Sequence, residues 1–146
     1  MEKQTELMKE FMQQQDKYCY FIISISVTAI GFSIYQTTGR ELNLTQIILA
    51  LANLCWVSSI FCGLRNRAYV VSTIYANKSY LDVLDGVYPD VGTNPKLIKL
   101  ASEGIMNAMQ SNSDKAGKLM DWQDRLFYSG IIFFIVWHVF EMYRNT

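Results

Sequence analysis

The sequence predicts an all-α integral membrane protein with three transmembrane helices and a small cytosolic helical bundle. Three observations predict it. Residues 18–35 and 46–64 are long runs without a charged side chain. A third apolar run, residues 126–140, follows a polar middle. Between these runs the apolar residues recur at helical spacing, with few glycines or prolines to interrupt them. A helix needs roughly 20 apolar residues to cross ~30 Å of hydrocarbon. Two such runs separated by about ten residues make a helical hairpin, because backbone polar groups in lipid must be bonded within their own helix. The organisation that follows is a cytosolic amphipathic helix over 1–17, a two-span hairpin over 18–64, a cytosolic helical extension over 65–125 and a third transmembrane helix over 126–143.

The chain has 146 residues, 51% of them hydrophobic and 18% charged, which leaves room for one small membrane bundle with an extension. A formal net charge of zero gives no reason to expect nucleic acid as a partner. The three cysteines, Cys19, Cys55 and Cys62, lie inside the apolar runs, where they act as small apolar residues rather than as a disulfide framework or a metal set.

Residues 2–17 form a helix that runs without a break into the first span. Leu7, Met8, Phe11, Met12 and Tyr18 mark one face, and Glu, Lys and Gln fill the other. Its acidic residues offset its lysines, so a solvated lead-in with one packed face fits better than a helix lying on the membrane. This polar segment, with no small-residue cleavage site after the apolar run, predicts an anchor rather than a cleaved signal. Within the first span Ser24, Thr28, Gly31 and Tyr35 form a small or polar stripe. In the second, Cys55, Ser59 and Gly63 repeat every four residues, the spacing that lets helices approach closely. Asn53 adds an amide that needs a partner in a dry environment. Helix packing and the lining of a pore are the two uses such residues have.

Residues 36–45 are a short polar turn. Beyond residue 64 the helical pattern continues, with Val70, Ile74, Asn77, Leu81 and Leu84 spaced by four and three. Asn77 in this seam is similar to the buried amides that set register in coiled coils. The seam suits a coiled coil or packing within a small bundle. Two glycines and two prolines in residues 86–95 break the helix. Asn94 followed by Pro95 predicts a helix start. The helix after it runs to about residue 110, with Leu97, Ala101, Ile105 and Ala108 on one face. Ser111, Asn112 and Ser113 predict a second break, and a last helix from Asp114 carries the third run. That run is short for a crossing, but Trp122 and Tyr128 at one end and Trp137 and Tyr143 at the other suit an interfacial belt. A linker over 86–94 leaves the helix after Pro95 free to start near the membrane and run outward, or to lie across the others.

No catalytic motif is present: no phosphate-cradling glycine loop, no nucleophile–base pair and no paired carboxylates. Asp82, Asp85 and Asp90 match no calcium loop. His138, the single histidine, stands one turn before Glu141, where a contact would form a pH-sensitive pair. The residues thus predict a non-enzymatic protein without cofactor or metal.

A leading helix, a tight two-span hairpin and a long helix into a small cytosolic part resemble the small membrane effectors of bacterial defence systems. That resemblance covers architecture, and it implies a pore-forming or membrane-disrupting role. Three spans enclose little, so a conduit requires a homo-oligomer in the lipid bilayer. The alternative is an adaptor whose cytosolic helices dock a soluble protein.

Of the 13 Lys+Arg, all but Arg40 and Arg144 lie before residue 18 or between residues 64 and 126. The positive-inside rule then places the N-terminus in the cytoplasm and the C-terminus outside the cell membrane. A reporter active only in the cytoplasm is therefore expected to work when fused before Glu2 and to fail after Thr146. Activity at both ends would remove the third crossing.

Overall fold

The computed structural model describes residues 2–39 and 43–144, without the side chains of residues 2–5, Met8 and Leu44. Arg40, within the predicted turn, and the Met8 side chain lie outside the described residues. The described chain is all-helical: α1, Glu2–Thr37; α2, Leu44–Leu84; and α3, Pro95–Arg144. Each of the three is long and apolar enough to cross a membrane. Only 22%, 28% and 22% of their most apolar windows is buried, so most of that apolar surface faces outward.

The helix ends have local causes. Gly39, at φ 80°, follows α1 in the left-handed conformation that terminates helices. Gly86 does the same for α2 at φ 69°: Val87 N–H donates to Asp82 O (3.0 Å) and Gly86 N–H to Val83 O (3.2 Å). These are the paired bonds of a Schellman cap. Pro95 opens α3 as expected, and Asn94 Oδ1 accepts from Lys96 N–H at 3.1 Å.

Two expectations are corrected here. Ser111–Ser113 do not interrupt α3, which is helical from Pro95 to Arg144. No Gly or Pro stands there, and Asn112 donates to Ser72 Oγ of α2 at 3.1 Å, so packing overrides a modest propensity cost. The helix after Pro95 does not lie across α2 either. It turns back along α2: Lys115 lies over the Tyr69 ring and Asn66 donates to Ala116 O, so positions advance on one helix as they fall on the other.

The chain divides into two compact units. One comprises Met1–Gly63 and Met120–Thr146, the other Leu64–Leu119. The first is a three-helix bundle with α1 and α3 parallel and α2 antiparallel, as the pairs Gln15–Met120, Cys19–Gln123, Ser59–Gln123 and Thr45–Glu141 require. Leu7, Phe11 and Met12 are exposed, so this part of the packed face expected on the leading segment is uncovered among the described residues. The second unit is a two-helix hairpin closed by the turn after Gly86. Its only buried residues are Asn66, Val83 and Ala116. Ala101 and Ile105 pack inward as expected, with Ile98 and Met109, while Leu97 and Ala108 face outward.

Gly104 and Gly117 lie mid-helix in this hairpin, and a Cβ on either would meet nothing within 4 Å. Gly104→Ala is therefore expected to stabilise the purified protein by about 1 kcal/mol, read as a higher melting temperature. An unchanged or lower value would deny an ordered helix at that point.

Candidate functional site

In the three-helix unit the buried positions recur at intervals of three, four and seven. They are Cys19, Ile22, Ser26 and Ser33 on α1; Leu49, Ala52, Trp56, Ser59 and Gly63 on α2; and Gln123, Phe127, Gly130, Trp137 and Glu141 on α3. This is the spacing of ridges packed into grooves at a shallow angle. Ile22, Ala52, Trp56 and Phe127 form the centre, with Ala29, Ile30, Ile131, Phe133 and Phe134 around them. The indole of Trp56 lies where Gly130 has no side chain: a Cβ there would be 2.5 Å from Nε1 and 2.7 Å from Cδ1. Phe134 stands between two tryptophans, 5.8 Å from the Trp56 ring and 5.5 Å from Trp137. Such aromatic contacts add to burial itself.

A polar knot joins all three helices. Gln123, 1% exposed, places its amide where Gly63 leaves room; a Cβ on Gly63 would lie 2.6 Å from Nε2. The amide Nε2–H donates to Cys19 O (3.4 Å), and the Cys19 thiol donates to Gln123 Oε1 (3.5 Å). Ser59 Oγ–H donates to the main-chain oxygen of Gln123 at 2.8 Å. Beside the knot, Gln15 Nε2–H reaches Met120 Sδ at 3.1 Å and Tyr18 O–H donates to Asp124 Oδ1 at 3.3 Å. Burial raises the Asp124 carboxyl above the usual carboxylate range; the Tyr18 hydrogen bond opposes that rise and the Asp121 charge adds to it.

Glu141 is 7% exposed. Its Oε1 pairs with Arg144 at 2.6 Å and its Oε2 accepts from Thr45 Oγ–H at 3.4 Å. His138 is exposed and lies beside the Trp137 ring (6.3 Å between centroids). The structure places Glu141 with Arg144 and Thr45.

The other predicted residues separate into two groups. Ser59 and Gly63 are buried and pack within the chain, against Gln123. Cys55 and Asn53 are half-buried, and Asn53 Oδ1 finds no partner among the described residues. Ser24, Thr28 and Gly31 are exposed, because α1 carries a second small row, Ser26, Ala29 and Ser33, and that row packs instead. The Ser24 and Thr28 hydroxyls bond back to the carbonyls of Tyr20 and Ser24, at 2.8 and 2.9 Å. In the hairpin unit, Val70 is half-buried, whereas Ile74, Asn77, Leu81 and Leu84 are exposed. Intrachain packing uses the adjoining face through Asn66, Tyr69, Thr73, Tyr80 and Val83. Sequence reasoning missed Gln123, which stands in a polar stretch. Its signal was register: it falls four before Phe127 and seven before Gly130.

Among the described residues no three His, Cys, Asp or Glu side chains converge as a metal site would need. The chain matches no protein-family model, no curated protein and no solved structure.

The two close contacts have different tolerances. Gly130→Ala drives a methyl into a rigid indole and is expected to destabilise by about 1–3 kcal/mol. Gly63→Ala meets the end of a flexible amide that can shift by a few tenths of an ångström while keeping its bonds to Cys19, and should cost less. Equal melting temperatures for the two variants would contradict the packing of Trp56 on Gly130.

Proposed function

We propose that the chain is a three-span protein of the cell membrane that acts as a homo-oligomer, its copies assembling into a pore or a membrane-disrupting complex of the kind used by defence effectors. The observation that carries this reading is the uncovered seam of the hairpin unit. Ile74, Leu81 and Leu84 are 53%, 52% and 48% exposed, at coiled-coil spacing and with Asn77 among them. Copies inserted in the same sense present that seam in parallel, the arrangement in which a single amide selects register and copy number. The outward apolar faces of α1, α2 and α3 support insertion in lipid. The centre of the three-helix unit is filled by Trp56 and Phe127, so a conduit would form between copies rather than inside one. The cytoplasmic N-terminus and external C-terminus follow from the basic residues, and no enzymatic step, cofactor or nucleic acid enters this reading.

A second reading is an adaptor for a soluble protein. It is favoured by Val87 and Leu100, 72% and 70% exposed on the hairpin but off the seam.

Native mass spectra decide between them. Ile74→Glu and Leu81→Glu alter exposed positions, so each is expected to dissociate the assembly towards the 16.8 kDa chain while leaving helicity unchanged. Asn77→Leu should strengthen the assembly and broaden its copy number. A wild type found only as single chains, or one oligomer unaltered by all three changes, would turn the assignment to the adaptor.

A further inference from the structure

Two lines of side chains run along α1, one residue apart in phase. Gln15, Cys19, Ile22, Ser26, Ala29 and Ser33 make the first, which is turned into the three-helix unit and is buried or half-buried. The second starts in the polar lead-in with Leu7, Phe11 and Gln14, all exposed, Leu7 at 68% and Phe11 at 64%. It continues through the apolar run with Tyr18, Phe21, Ile25, Thr28 and Phe32, again all exposed. Its steps alternate four and three throughout, the 3.5-residue repeat of a left-handed coiled coil. Seven of residues 2–17 are charged, and none of them falls on this line. α1 is one unbroken helix, Glu2–Thr37, so the line keeps its phase from end to end.

We propose that α1 pairs in parallel with α1 of a second copy along this line, in a coiled coil that starts outside the lipid and continues into it. The inference rests on the membrane and homo-oligomer reading above, and adds to it an interface separate from the hairpin seam. The boundary between lipid and water selects the occupant. Residues 18–35 already take up about 26 Å of a ~30 Å hydrocarbon core. Leu7 lies about 16 Å further out along the helix, where no acyl chain reaches it. Lipid therefore covers Phe21 and Phe32 but leaves Leu7 and Phe11 in water. A soluble partner meets the reverse limit, since it reaches Leu7 and Phe11 but not Phe21 or Phe32. Only a helix that crosses the same boundary, in the same direction and phase, covers the whole line. A second α1 does so by construction, because copies inserted in the same sense bring each position to its own equivalent. Gln14 is then an amide facing an amide, the kind of polar contact that fixes register in a coiled coil.

The test is oxidative cross-linking of the full chain in membranes with copper phenanthroline. Gln14→Cys lies on the line and Gln13→Cys one residue round from it, and both change exposed positions. Gln14→Cys is expected to give a covalent pair of two 16.8 kDa chains. Its yield should exceed that of Gln13→Cys, and the background set by the wild type's own cysteines, by at least about fivefold, because only positions on the line bring Cβ atoms within disulfide reach. Phe11→Glu, also exposed, should return the Gln14→Cys product to background while leaving helicity unchanged. Equal product from Gln13→Cys and Gln14→Cys, none above the wild type, or a product that survives Phe11→Glu would overturn the α1 pairing. If native mass spectra then still show an oligomer that Ile74→Glu dissociates, the homo-oligomer reading stands without it. Gln14→Cys joined to a different protein would overturn the pairing in favour of another membrane partner. A wild type found only as single chains would overturn both.

Discussion

The three-helix unit depends on one buried amide. Gln123 touches α1 through Cys19, receives the Ser59 hydroxyl of α2 on its own main-chain oxygen, and occupies the space that Gly63 leaves. A primary amide without partners in such a place would cost about 1–3 kcal/mol per group left unbonded. Here the amide's bond to Cys19 O, at 3.4 Å, is long, and the bond it accepts comes from a thiol, a weak donor, so they specify register more than they add strength. A shift of either neighbouring helix by one residue would leave the amide among apolar side chains. The same shift would take Gly130 from under Trp56, so polar and apolar contacts demand one alignment.

The hairpin unit is built by a looser rule. Its inward face carries Asn66, Asn112 and Ala116 beside Val83, Ile98, Ile105 and Met109, and bonds such as Asn66 Nδ2–H to Ala116 O, 2.7 Å, supplement a narrow apolar layer. Two helices have only one shared face, and here that face is narrow. Ile74, Leu81 and Leu84 stand beside it rather than in it, which leaves the hairpin's larger side chains available to whatever it meets.

Much of the fold was legible because length and hydropathy report directly on helices. The turn at Gly86 and the start at Asn94–Pro95 were legible as well, since both rest on backbone chemistry local to a few residues. The continuity of α3 was not. Ser111–Ser113 weaken a helix only slightly, and their fate is decided by Asn112 meeting Ser72 forty residues earlier in the chain. Which of two small rows on α1 would pack was equally hidden: Ser24–Thr28–Gly31 and Ser26–Ala29–Ser33 have similar volumes. Only the partners across the bundle distinguish them. The partners of Glu141 were hidden as well: Arg144 lies one turn on, but Thr45 comes from the far end of α2 and no spacing rule announces it.

Gly130 and Trp56 carry a consequence for how this protein can vary. Neither position has an acceptable side chain of its own; each is defined by the volume the other takes. A larger residue at 130 is compatible only with a smaller one at 56, and the same reciprocity ties 63 to 123. Divergent versions of this chain can therefore change these sites in pairs, through intermediates that are poorly packed, or keep all four. The bundle's centre would then drift slowly while its outward faces, free of that reciprocity, change more readily.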